Sequence, residues 1–277
     1  MSKPRIAVVG CGAISGAYLE NARKIYYNEY EVTAVSDLNT ERAIGRATQF
    51  RIPKVLTTEQ LLADPDIDIV VNLTVPMAHY ELTVRCLQAG KHVYTEKPFG
   101  INRDQAQSIL DVAKQTGCQV GCAPDTFMGM PIQTALKAIE EGLIGRPFGA
   151  NCLCIHPTHG NENWHPEPEF YYKKGAGPMF DMAAYYLNAL IAVFGPLKSV
   201  MCYQTLNFPE RMIKTQPHYG QTIRVEVPTH VLGMMEFDCG AVASIMNTLD
   251  VWNSRQPWIE IYGTEGTLIL PDPNRFD

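Results

Sequence analysis

The 277-residue chain has no apolar run near the ~18 residues that a membrane-spanning helix needs, and the expectation is a protein working in solution in the cytoplasm. Its eight cysteines form no CxxC pair, and the chain is far longer than the small secreted domains in which cysteine spacing marks a disulfide framework. Reduced, mostly buried thiols are expected instead. Basic side chains are also scarce: 23 Lys and Arg stand against 29 Asp and Glu, a formal charge of −6. No broad positive field is left to neutralise a phosphate backbone or an anionic membrane, so neither nucleic acid nor membrane is an expected partner. The basic start before Ile6–Val9 looks like a leader, but glycines and a rapid return to polarity cut the apolar stretch short. There is no internal repeat and no low-complexity tract.

What is present is an ordinary globular balance, 46% hydrophobic and 19% charged, on a chain long enough for about two domains. Through residue 124, short β-branched runs alternate with amphipathic stretches, the pattern of a parallel sheet with crossover helices. Strands are expected at Arg5 to Val9, Glu31 to Ser36, Val55, Ile67 to Leu73, His92 to Thr95 and Gln119 to Cys122. Helices are expected at Ile14 to Lys24, from a Thr40 cap to Phe50, after a Thr58 cap, at Tyr80 to Ala89 and at Arg103 to Thr116. From residue 125 to 277 the character changes. A helix over Pro131 to Glu141 precedes strands at Gly149 to Ile155, Leu197 to Leu206, Thr229 to Phe237, Val242 to Asn247 and Trp258 to Tyr262, with one main helix over Phe180 to Phe194. These predict an α/β domain with an open, mostly antiparallel sheet and helices on one face. No closing element is expected around Pro271-Asp272-Pro273, so a missing C-terminal segment is anticipated.

Gly10-Cys11-Gly12-Ala13-Ile14-Ser15-Gly16 follows the first strand and opens the first helix, where a tight turn aims backbone N–H groups and a helix dipole at an anion. Ser15 stands where a third glycine or alanine is usual and is expected to loosen helix-to-strand packing slightly. Asp37 ends the second strand about 25 residues on, placed to accept the hydroxyls of an adenosine ribose and to repel a 2′-phosphate. The expected cofactor is NAD, with NADP possible. Glu96-Lys97-Pro98 lies just beyond the fifth strand, at the carboxyl edge where open α/β sheets bind ligands. Pro98 biases Lys97 toward extended backbone, from which its ammonium can reach a substrate hydroxyl; a solvated surface pair is the plainer alternative.

Together with Gly175-Ala176-Gly177-Pro178-Met179-Phe180-Asp181, these two motifs give a chain that resembles the glucose-fructose oxidoreductase, inositol dehydrogenase and MocA family, the Gfo/Idh/MocA family. The resemblance spans essentially the whole chain and implies an N-terminal Rossmann domain over 1–124 and a C-terminal α/β domain for substrate binding and oligomerisation over 125–277. It implies a nicotinamide dinucleotide between them, contacted by Glu96 and Lys97. By the same likeness Thr74, Pro76 and His79, in the loop after the fourth strand, border the cofactor; a helix-start histidine without a ligand is the alternative for His79. It also implies a homo-oligomer, a dimer or tetramer.

Asp181 and Tyr185 are four apart and share one face if Phe180 to Phe194 is a single helix. Family members mostly carry His at the second of these positions as the proton-transfer residue, although some carry Tyr. A phenol near pKa ~10 is a poor base at neutral pH, and a neighbouring Lys97 ammonium would lower it. Tyr185 is otherwise an aromatic core residue, as Tyr186 is expected to be. Asp181 among Met179, Phe180 and Met182 is costly to bury without a partner and is assigned a substrate hydroxyl. Trp164 and His165 suit stacking on a sugar ring. Asp125 faces the nicotinamide end or caps a turn. Cys152, Cys154, His156 and His159 look like zinc ligands, but alternate strand positions favour packed thiols, and no metal is expected.

The expected activity is hydride transfer between nicotinamide and a CH–OH group of a sugar or cyclic polyol, with Lys97, Tyr185 and Asp181 as the catalytic residues. A dinucleotide-binding sensor without turnover and an NAD-dependent glycosidase are the alternatives.

Overall fold

Five residues at the start of the chain, Arg5–Val9, form strand β1, and four of them are buried. The computed structural model describes residues 3–155 and 159–275. The chain divides into two units, Met1–Ala123 and Pro124–Asp277.

In the first unit β1 is followed by α1 (Ser15–Lys24), β2 (Glu31–Ser36), α2 (Thr40–Phe50), β3 (Lys54–Val55), α3 (Thr58–Ala63), β4 (Ile69–Asn72), α4 (Pro76–Gln88), β5 (His92–Thr95), α5 (Arg103–Thr116) and β6 (Val120–Cys122). The strands form one parallel sheet in the order β3-β2-β1-β4-β5-β6, the doubly wound arrangement with its switch point at β1. Continuous apolar strands are buried on both faces, and two side-chain clusters flank the sheet. Helix starts depart from expectation by one residue where two neighbours compete for the cap. Asn39, not Thr40, accepts the Arg42 N–H, and Thr57, not Thr58, forms a reciprocal capping box with Gln60. Helix α4 begins four residues earlier than expected, because Pro76 sits at its first turn, where a missing N–H costs nothing. Pro76 and His79 therefore lie on a helix, not in a loop.

The second unit opens with α6 (Met130–Glu140) and β7 (Pro147–Ile155), continues through α7 (Pro178–Asp181) and α8 (Ala183–Phe194), and ends with β8 (Leu197–Thr205), β9 (Glu210–Met212), β10 (Thr222–Arg224), β11 (His230–Phe237), β12 (Val242–Thr248), β13 (Ile259–Gly263) and β14 (Thr267–Leu270). The main sheet runs β14-β13-β7-β12-β11-β8 and is mixed, since β7 and β12 are parallel while the other pairs are antiparallel. One face carries Ala150, Cys152, Cys154, Met235, Phe237, Ala243, Ile245, Ile259 and Ile261 into a core closed by Tyr186, Leu190 and Phe194 of α8. The other face is open. Strand β14, unexpected from sequence, gives the sheet an edge beyond β13, and the short β9–β10 hairpin was likewise unexpected. The expected single helix over Phe180 to Phe194 is two, broken at Met182 with φ −107°.

The loop between β7 and α7 is held by a buried ion group. Arg211 of β9 donates from Nη1 to Glu162 at 2.8 Å and from Nη2 to Asp250 at 2.5 Å, and all three side chains are buried. The Tyr172 hydroxyl donates to the other oxygen of Glu162, and Thr229 donates to Asp250. Burial opposes the Arg211 charge, but the Glu162 hydrogen bond and charge outweigh it and raise its pKa. Removing the cation would strand two carboxylates in the interior, so Arg211→Met should cost about 3–5 kcal/mol. All three tryptophans lie in this unit, so the loss is read as a lower denaturant midpoint in tryptophan fluorescence.

Candidate functional site

At the carboxyl end of β1, Gly10 has φ +97°, and a Cβ there would stand 2.5 Å from the Leu73 carbonyl oxygen. Gly12 differs: a Cβ on it would meet nothing within 4 Å. Its bareness answers no need of the chain's own packing and leaves room for a close-lying group. Among the described residues the N–H groups of Gly12, Ala13 and Ile14 make no hydrogen bond, and the start of α1 has no side-chain cap. Unsatisfied donors at a helix start, beside an open glycine, fit a pyrophosphate. Ser15 is fully buried and its hydroxyl donates to the Gly12 carbonyl at 2.7 Å, which fastens the turn. Arg46 donates to the same carbonyl at 3.0 Å.

Asp37 accepts the Cys11 N–H and the Asn39 N–H, one on each carboxylate oxygen, both at 2.7 Å. It thus braces the glycine turn from the next strand, and each oxygen keeps a lone pair for a ribose hydroxyl. Burial, with Asp37 adding, pushes the Cys11 thiol up to about 11, so it stays protonated.

The loops after β4 and β5 are joined through Thr74, His79 and Glu96, and through Asn72, which carries no motif in the sequence. Asn72 is fully buried; its Oδ1 accepts from the Thr74 N–H and hydroxyl, and its Nδ2 donates to the His79 carbonyl and the Thr83 hydroxyl. The His79 ring is 1% exposed, with the Thr74 and Pro98 carbonyl oxygens each 2.9 Å from one of its nitrogens. Both nitrogens are occupied within the unit, so the ring ties Thr74 to the Glu96-Lys97-Pro98 turn. Glu96 accepts from the Tyr18 hydroxyl at 2.8 Å and from the Lys97 N–H at 3.1 Å, which sets the backbone from which Lys97 projects.

In the second unit Asp181 ends α7 and Tyr185 lies in α8, on opposite sides of the Met182 break, so their spacing is not that of one continuous helix. Tyr185 is 8% exposed within the apolar cluster under the sheet. Tyr186 is fully buried and donates to Asp272 at 2.8 Å. Trp164, His165, Phe170 and Tyr171 pack edge to face and tilted, with ring centroids between 4.0 and 6.5 Å. Asp125 begins a short turn with no side-chain cap. Cys152 and Cys154 point into the core, where burial raises both thiols far above their usual range. His159 stacks on Trp252 at 3.6 Å, and His156 lies outside the described residues. Among the described residues no group of three potential ligands could hold a metal ion, and no helix is long and apolar enough to cross a membrane.

Residues 4–123 match the model of an oxidoreductase family with an NAD-binding Rossmann fold, and residues 132–269 match the C-terminal domain of the same family. The chain belongs to the Gfo/Idh/MocA family. This family member is an NAD-binding oxidoreductase, as the family resemblance had implied. It is similar to 1,5-anhydro-D-fructose reductase of Ensifer adhaerens, 27% identical over 86% of this chain and 68% of the relative. It is also similar to myo-inositol 2-dehydrogenase of Thermotoga maritima, 23% identical over 95% of this chain and 74% of the relative. The WlbA dehydrogenase of Bordetella pertussis, solved with NADH and UDP-GlcNAcA, shares the fold: TM-score 0.82, 22% identity, 96% of this chain and 78% of that one.

The two glycines separate fold from binding. Gly10→Ala should lower the melting temperature, because its Cβ meets backbone that cannot move aside. Gly12→Val should leave melting nearly unchanged and weaken NADH binding by about 10-fold or more in a fluorescence titration, since the added methyls take the ligand's space.

Proposed function

We propose that this Gfo/Idh/MocA protein catalyses NAD-dependent hydride transfer at a CH–OH group of a sugar or cyclic polyol. The reading is carried by one observation: both family models match in order, on a chain whose glycine turn keeps open donors and open space. The names of the sugar reductase and inositol dehydrogenase relatives supply the substrate class. NAD is favoured over NADP because Asp37 would repel a 2′-phosphate.

A bound nicotinamide would take or give the hydride. Lys97 polarises the reacting oxygen and stabilises negative charge on it. Tyr185 moves the hydroxyl proton, Asp181 accepts a neighbouring hydroxyl, and Trp164, His165 and Asp125 line the substrate. Gly10, Gly12, Ala13, Ile14 and Ser15 form the pyrophosphate turn, with Thr74, Pro76, His79 and Glu96 shaping the cofactor's other border. Lys97→Ala and Tyr185→Phe should each lower turnover by about 100-fold or more while NADH affinity stays within a few-fold. Turnover at the wild-type rate in Lys97→Ala would remove this assignment. The packing of Tyr185 in the core favours a second reading, a dinucleotide-binding sensor. Tight NADH binding without turnover on a broad panel of aldoses and polyols would select it.

The proposal extends to a homo-oligomer. Pairing register places Met201, Tyr203, Leu232 and Met234 together on the open face of the second sheet, with Val242 on the adjoining strand, all exposed. An apolar patch spread over neighbouring strands fits a second copy of this chain. Leu232→Glu combined with Met234→Lys should reduce the mass measured by light scattering to that of one chain.

A further inference from the structure

Asn161 lies outside every motif considered in the sequence, yet its side chain links two residues assigned to substrate. It is 1% exposed and stands at the start of the short turn that carries Trp164. Its Oδ1 accepts the Trp164 indole N–H at 3.0 Å, and its Nδ2 donates to Asp181 Oδ2 at 3.4 Å. The two contacts fix the amide's orientation independently. An indole N–H can only donate and an ionised carboxylate can only accept, so oxygen must face Trp164 and nitrogen must face Asp181. No other side chain of this length offers both functions.

The backbone beneath Asn161 is held as firmly. Its N–H donates to the Tyr172 hydroxyl at 3.0 Å, and Tyr172 donates in turn to Glu162, which also accepts from Arg211, itself paired with Asp250. The Asn161 carbonyl accepts the N–H groups of Trp164 and His165 at 3.3 and 2.9 Å. Buried charge thus anchors the amide, and the amide holds an indole that is 49% exposed beside a half-buried carboxylate.

We propose that Asn161 is a positioning residue for the substrate site, holding Trp164 and Asp181 as one preset pair that selects ring-form polyhydroxylated substrates over open-chain polyols. The inference rests on the function proposed above. A saturated sugar or cyclitol ring presents an apolar C–H face to an aromatic plane and equatorial hydroxyls at its rim. A fixed indole and a fixed acceptor meet both at once, and a flexible open-chain polyol must be ordered first to do so.

The test uses the full chain, with three tryptophans that can be resolved as indole resonances in a 15N-labelled sample. Trp164→Phe identifies the Trp164 signal. Asn161→Ala should shift that signal, whereas Asn161→Asp keeps an acceptor and should leave it near its wild-type position. Asn161→Asp sets a carboxylate against Asp181, so both variants should raise KM for the best cyclic substrate among myo-inositol, D-glucose and D-xylose by about 10-fold or more. NADH affinity should not change, and the preference for that substrate over D-glucitol and xylitol should fall in step with the rise in KM. A purely structural role would lower the melting temperature without dividing KM from NADH affinity. Unchanged KM in both variants, or an indole signal that Asn161→Ala does not move, overturns the proposal for Asn161. Wild-type protein that binds NADH and turns over none of these compounds defeats the proposed function itself, a result the variants cannot mimic.

Discussion

Where β1 ends, the Gly10 backbone approaches the Leu73 carbonyl so closely that no side chain fits between them. That contact joins the end of the first strand to the end of its neighbour β4, and the carboxyl edge of the first sheet is built outward from it. Leu73 leads directly into Thr74, whose position is set by Asn72 and whose carbonyl meets His79; His79 meets the Pro98 carbonyl, and the turn it borders carries Lys97. A chain of side-chain to backbone bonds therefore fixes three loops relative to one glycine. Such bonds are strong where water is excluded, since losing one leaves a buried polar group unsatisfied.

The second unit solves a similar problem with charge. Between β7 and α7, the described residues 159–177 form short single-turn helices and irregular backbone, so their backbone groups and aromatic side chains need an external support. Arg211, reaching from a three-residue strand, supplies it by pairing with Glu162 in that connection and Asp250 beyond β12. Buried ion groups of this kind add little net stability over apolar packing, but they admit one arrangement, which suits a segment carrying residues proposed to meet substrate.

Local signals in the sequence were sufficient where chemistry and secondary structure coincide. The boundaries of β1, β2, β5 and α5 follow from runs of apolar residues and caps, and the glycine turn announces itself because few residues tolerate its backbone. Errors arose at positions where neighbouring residues compete. Asn39 and Thr40 can each cap a helix, and only the fold's path chooses between them. The break at Met182 was hidden because an apolar helical pattern continues through it. Strand β14 was missed because four residues of β-branched and aliphatic character are too few to distinguish from a loop without the partner strand.

By itself the sequence determined the family, the parallel sheet of the first unit and the class of cofactor, because each depends on short-range pattern and on residues with restricted chemistry. Only the tertiary structure decided what Asn72, His79, Asn161 and Arg211 do. Their partners lie as far as 52 residues away along the chain, as with Arg211 and the His159 carbonyl, and no local pattern encodes which distant polar group will share a buried site. An asparagine reads as a turn residue and an arginine as surface charge until folding removes water from around them and makes each hydrogen bond obligatory.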